Sequence, residues 1–188
     1  MGNMKIGIMT LWLLLALLVS CSHDYDSNTL DLGKYQWNMW PDMEAGARTD
    51  AGSLTANEPS CGWEVLDRGN GKLVRIPATL DSNFEADEQS TVTWFHVRHT
   101  LPELWAERDI TLSIAGVSHQ AEVYLNGELV GSYQGANSPF TIDITSKVYY
   151  VRDNHLAIRV YDPDPGTCGI TGTIVVISKP LDHPLQSG

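Results

Sequence analysis

The side chains able to do chemistry are scattered through this chain. His96 and His99 stand three residues apart in WFHVRHT, a run that alternates like a β-strand. A strand sends residues three apart to opposite faces, so these two imidazoles cannot grip one metal ion. Glu85, Asp87 and Glu88 form an acidic run with no apolar neighbours to raise a carboxyl pKa, the pattern of a solvated surface. There is no Gly-x-Ser-x-Gly elbow and no His-rich zinc helix. Cys61 and Cys168 have no second Cys or His at ligand spacing. They read either as a disulfide of an oxidising compartment or as two small buried hydrophobes. The expectation is therefore no metal, no cofactor and no autonomous catalysis. What remains is recognition. Trp37, Trp40, Trp63, Trp94 and Trp105 are of the type that stacks on a sugar ring. Trp105, in ELWAER, sits between strands and is either an exposed contact or packing.

The elements that must position these residues are short and alternating. Strands are predicted at Tyr35–Trp40, Trp63–Leu66, Val92–Leu101, Asp109–Ala115, Gln120–Leu125, Glu128–Tyr133, Phe140–Ile144, His155–Tyr161 and Thr173–Ser178. Turn chemistry separates them: Asn70-Gly71, Asp162-Pro163-Asp164-Pro165-Gly166, and Asn126-Gly127 between two alternating runs. Phe95, Val97 and Leu101 share one face, as do Ile110, Leu112 and Ile114. Outside the N-terminal leader no dozen residues hold a 3.6-residue apolar period. The fold class this predicts is all-β, an antiparallel β-sandwich.

The two ends and the charge set the context. Residues 1–20 look like a secretory leader, with Lys5 followed by an apolar run from Ile6 to Val19. Leu18-Val19-Ser20-Cys21 resembles a bacterial lipobox, so Cys21 is the expected lipidation site and 21–31 a polar tether. The implied location is the bacterial cell envelope, on the periplasmic or surface face of the outer membrane, with the lipid anchor the only membrane contact. Residues 32–180 form one domain and 181–188 a tail. The formal net charge of −11 argues against nucleic acid as a partner.

In order and spacing, several pieces resemble the sugar-binding domain of glycoside hydrolase family 2, the β-galactosidase and β-glucuronidase family. They are WFHVRHTLP at Trp94–Pro102, the long run from Leu112 to Thr145, NHLAIRVYD at Asn154–Asp162 and GITGTIVVISKP at Gly169–Pro180. YQWNMWPDMEAG and WEVLDRGNGKLVRIPATL match more loosely. The resemblance implies a jelly roll of the galactose-binding type, with carbohydrate as partner. It also implies that hydrolysis belongs to a glycosidase catalytic domain, a barrel of about 250 residues for which the chain after Pro180 has no room.

The same resemblance marks candidate sugar contacts. Asp162, at a strand end, either reaches toward a substrate pocket or forms an Asp-Pro turn. Asn83 stands where some members carry a substrate-contacting Asn, and His119 lies beside the hairpin strand as either contact or structural residue. His96, Val97 and His99 depart from the family pattern, where a basic pair and a core Phe are usual. Thr171-Gly172-Thr173 likewise replaces an aromatic and an Arg. The expected function is non-catalytic carbohydrate binding within a glycan-degrading system. The alternative is the front piece of a glycosidase whose barrel lies elsewhere.

Overall fold

The computed structural model describes residues 28–48, 50–53 and 58–181. Two antiparallel sheets face one another. The smaller has the order β1 (Thr29–Asp31), β12 (Ile174–Pro180), β6 (Arg108–Ile114), β9 (Phe140–Asp143). The larger runs β3 (Lys72–Val74), β2 (Trp37–Pro41), β5 (Val92–Thr100), β10 (Asp153–Tyr161), β7 (Gln120–Leu125), β8 (Glu128–Gln134). A further pair, β4 (Ala78–Thr79) and β11 (Gly169–Ile170), stands beside them. This is the predicted jelly-roll sandwich. Between the sheets lie Phe95, Val97, Leu156, Ile158, Ile110, Leu112, Ile114 and Val176, each at most 2% exposed. Burial of each such side chain is worth about 1.5–3 kcal/mol.

The two sheets differ in their outer faces. Along β6 burial alternates, so its second face meets water, whereas all six residues of β7 are buried. The larger sheet is covered on both sides. Its outer cover is the segment after β2, which carries two short helices, α1 (Met43–Gly46) and α2 (Trp63–Asp67). The sequence reading placed a strand at Trp63–Leu66, and the structure corrects this. Gly62, at φ 81°, turns the chain, and the helix that follows puts Trp63 and Leu66 on one face against Trp94 and Tyr124. A second correction falls at the tether, whose last residues, Thr29–Asp31, form β1 and pair with Val175–Ile177. The hairpin at Asn126-Gly127 forms as expected, with φ 54° and 84° joining β7 to β8.

One carboxylate ties the cover down. Asp42 is wholly buried, and its side chain accepts hydrogen bonds from Ala45 N (2.9 Å), Ser60 N (3.0 Å) and Trp94 Nε1 (3.1 Å). Its backbone N–H donates to Val92 O (2.8 Å), and Ser90 Oγ donates to its carbonyl (2.8 Å). Farther along the same face, Arg159 pairs with Glu122 (3.4 Å) and donates to Ala51 O (2.6 Å), while Tyr124 donates to Glu122 (3.0 Å). The cover is thus held to strands β5 and β10 by buried polar contacts, and to β7 by the packing of Trp63 on Tyr124.

Two predictions follow from these burials. Replacing Asp42 by Ala strands three buried donors and is expected to cost about 2–4 kcal/mol in urea unfolding, with Asp42→Asn costing less. His99 is 3% exposed on the core side of β5, with no hydrogen-bond partner for either ring nitrogen among the described residues, and burial lowers its pKa to about 4. Between pH 6.5 and 4 the unfolded chain takes up a proton that the folded chain refuses. This stability contribution is whole above about pH 6.5 and falls as the pH drops toward 4, by on the order of 3 kcal/mol at full extent. His99→Phe should reduce the pH dependence of unfolding over that window, leaving the part due to His96. An unchanged slope would count against the assignment.

Candidate functional site

A cleft of about 620 Å³ opens on the covered side of the larger sheet, where α2 ends and the β7–β8 hairpin tip comes close. β5 contributes His96 and β10 contributes His155. Because His96 stands opposite Ala157 and His155 opposite Arg98, the two imidazoles are diagonal neighbours on one face. Their rings stack at 5.6 Å with 27° between planes. α2 delivers Asp67 to the same point. Its Oδ1 lies 3.0 Å from His96 Nε2 and in close contact with His155 Nδ1. Arg98 Nη2 approaches the other oxygen at 3.6 Å and donates to the Asp67 carbonyl at 2.7 Å. Asn38 Nδ2 donates to Leu66 O at 2.9 Å, so the C-terminal end of α2 is pinned from two strands.

The electrostatics follow from burial. His96 is 6% exposed, and burial, only partly opposed by the Asp67 carboxylate, lowers its pKa to about 4. His155 and Arg98 push in the same direction as burial. At neutral pH the His96 ring is therefore uncharged, with both nitrogens in the forms of a neutral imidazole. Among the described residues its Nε2 has no hydrogen-bond partner, although Asp67 Oδ1 lies 3.0 Å away.

Aromatic and polar groups line the rest of the cleft. Trp63 is half-buried, edge-on to Trp94 (5.4 Å) and tilted on Tyr124 (5.1 Å). Tyr149 is 41% exposed and carries the Arg152 guanidinium 3.5 Å above its ring. Asn126, at the hairpin tip, donates to Lys147 O (2.9 Å) and accepts from His155 N (3.0 Å). Asn154, wholly buried, exchanges two 2.7 Å bonds with the Tyr149 backbone. The tip and the Tyr149 loop are therefore fixed to β10. Such an arrangement offers ring faces for stacking with carboxylate, amide and guanidinium groups close by, the chemistry that holds a polyhydroxylated ring.

Of the tryptophans singled out by type, Trp63 lines this cleft, whereas Asp162, Trp105, Asn83 and His119 do not. Trp105 is 1% exposed in the main core, a packing residue rather than a ligand contact. Asp162 is 7% exposed, and both its oxygens serve its own turn, accepting from Asp164 N (2.9 Å) and Thr167 Oγ1 (3.1 Å). Asn83 donates to Thr79 O (2.9 Å), and its loop meets that of Asp162 through the Asp81 N to Gly166 O bond. His119 rests edge-on to Tyr161 at 6.1 Å. Cys61 and Cys168 are both free thiols. Cys168 sits in the main core, with its pKa pushed up to about 12 by burial, and Cys61 packs with Trp63 and Trp94 on the outer face of the larger sheet, so the disulfide alternative is not realised. Cys21 and the leader lie outside the described residues.

The residues that sequence reasoning missed are Asp67, Tyr149, Arg152 and His155. The one available signal was Asn126-Gly127, which fixed a hairpin tip without showing what it faces.

Comparison with known proteins agrees with this architecture. Residues 59–171 match the family model described as glycosyl hydrolases family 2, sugar binding domain. A β-galactosidase of Thermoanaerobacter pseudethanolicus is 28% identical over 100 residues, covering 50% of this chain and 14% of that protein. Among solved structures, a glycosyl hydrolase family 2 member from Bacteroides cellulosilyticus superposes with a TM-score of 0.62 at 14% identity. It covers 82% of this chain and 21% of its own. A β-glucuronidase from Ruminococcus gnavus gives 0.62 at 17% identity, covering 81% and 29%. The chain thus spans less than a third of each relative.

Proposed function

We propose that this chain, which belongs to the glycosyl hydrolases family 2 through its sugar-binding domain, holds a carbohydrate in the cleft lined by Trp63 and Tyr149. The observation that carries the reading is the pairing of two accessible aromatic rings with Asp67, Asp153 and Arg152 in a single concavity. A sugar stacks its apolar C–H face on a ring, and its hydroxyls bond to the charged rim. From one open cleft the affinity is weak, in the range of about millimolar to micromolar. No step of bond cleavage is assigned to these residues.

The domain works in glycan degradation, fixed to the outer membrane of a bacterium by a lipid on Cys21. A second reading draws support from the relatives, which are far longer than this chain. In that reading the domain positions substrate for a glycosidase barrel of the β-galactosidase or β-glucuronidase type.

Calorimetric titration of the purified chain against a panel of plant and host glycans tests the cleft. Saturable heat with one glycan class is expected, weakened about tenfold by Trp63→Ala and by Tyr149→Ala and unchanged by Asp162→Asn. Silence across the panel at millimolar ligand, or loss with Asp162→Asn alone, would move the site elsewhere or remove it. The anchor is tested separately: Cys21→Ser should shift the protein from the membrane fraction to the soluble fraction.

A further inference from the structure

The cluster at the base of α2 is more than a lining. We propose that Asp67, His96 and His155 form a binding site for a divalent transition-metal cation of the zinc class. Their donor atoms, Asp67 Oδ1, His96 Nε2 and His155 Nδ1, lie within 4.8 Å of one another. Ligands sharing a tetrahedral ion with bonds of ~2.0–2.1 Å are separated by ~3.3 Å. The 3.0 Å between His96 Nε2 and Asp67 Oδ1 is close to that edge.

Hydrogen bonding alone leaves the cluster incomplete. His96 Nε2 is buried and has no hydrogen-bond partner among the described residues, although a carboxylate oxygen lies beside it. Leaving such an atom unsatisfied costs free energy, and a cation shared with Asp67 satisfies both atoms at once. Three elements hold the donors rigidly: two paired strands and a helix end pinned by Asn38 and Arg98. Arg98 approaches the far carboxylate oxygen, Oδ2, which leaves Oδ1 to the histidines. Two imidazoles with one carboxylate select zinc, cobalt or nickel over calcium, which takes six or more oxygens. Three protein ligands leave a fourth position, and since all three line the cleft that position faces it. An oxygen of water or of a bound hydroxylated ligand fits there.

This site lies in the cleft assigned to carbohydrate, but metal occupancy is read without any glycan and stands or falls alone. The test is calorimetric titration of the purified chain with zinc chloride, repeated with cobalt chloride and followed by its visible absorption bands. One equivalent is expected to bind saturably, with the cobalt bands of an imidazole-containing low-coordination site, while calcium chloride gives no heat. Asp67→Asn and His155→Gln should each weaken binding by about tenfold or more. Both side chains are more than a third exposed, so these variants keep the core, and far-ultraviolet circular dichroism checks that they do. No saturable binding of zinc or cobalt would overturn the site and leave a hydrogen-bonded His–Asp–His cluster. Binding that both variants retain in full would place the metal elsewhere and overturn it equally.

Discussion

The structure of this domain hangs on a buried carboxylate. Asp42 sits at the join between β2 and the segment that crosses the outer face of the larger sheet, and it gathers donors from α1, from Ser60 and from Trp94. A charge without water is expensive, and only convergent hydrogen bonds offset that cost. Here the donors come from residues 3, 18 and 52 positions away, so the bonds close only when the cover lies on the sheet. Everything at the cleft follows from that closure. α2 starts just after Ser60, and its last residue is Asp67.

Covering both faces of an antiparallel sheet changes what its strands must look like. An exposed sheet face needs only alternation, which β6 shows, with Ile110, Leu112 and Ile114 inward and polar residues between them. The strands β5, β10 and β7 carry a second buried row, of Trp94 and His96, Ala157 and Arg159, and Glu122 and Tyr124. The charged members of that row, Glu122 and Arg159, are tolerated because they find partners within the cover and on the neighbouring strand. Glu122 and Arg159 have each other and the Ala51 carbonyl, and burial raises the Glu122 pKa against the pull of Arg159.

Much of this was legible in the chain and some of it was not, for identifiable reasons. The strands with clear alternation and turn punctuation, from Val92 to Tyr161, emerge within one or two residues of the reading, and so does the hairpin at Asn126-Gly127. The failure at Trp63–Leu66 has a plain cause. WEVL is a short apolar run with aromatic and β-branched members, and such a run fits either period until tertiary packing chooses. Gly62, which turns the chain before it, and the packing of its own Leu66 on Trp94 tip it to a helix. β3, β4 and β11 are two or three residues long, below any periodicity that a sequence can display.

The site shows the deeper limit. Reading His96 against His99 was sound, since the strand does send them to opposite faces, one toward the core and one toward the cover. It asked about the wrong pair. The partners of His96 are 29 residues before it, just past a segment misread as strand, and 59 residues after it, on a strand whose register is fixed only by pairing. Spacing rules detect ligands that share one element. They are blind to ligands gathered by a sheet and its cover, because register and crossover are properties of the whole fold. The same argument explains why Asp162 and Trp105 attracted notice. Each is conspicuous in its local sequence, and each serves the local need that made it conspicuous, a turn and a core anchor. In a sandwich of this kind, residues with no local role to fulfil are the better candidates for function, and His96, His155 and Asp67 are such residues.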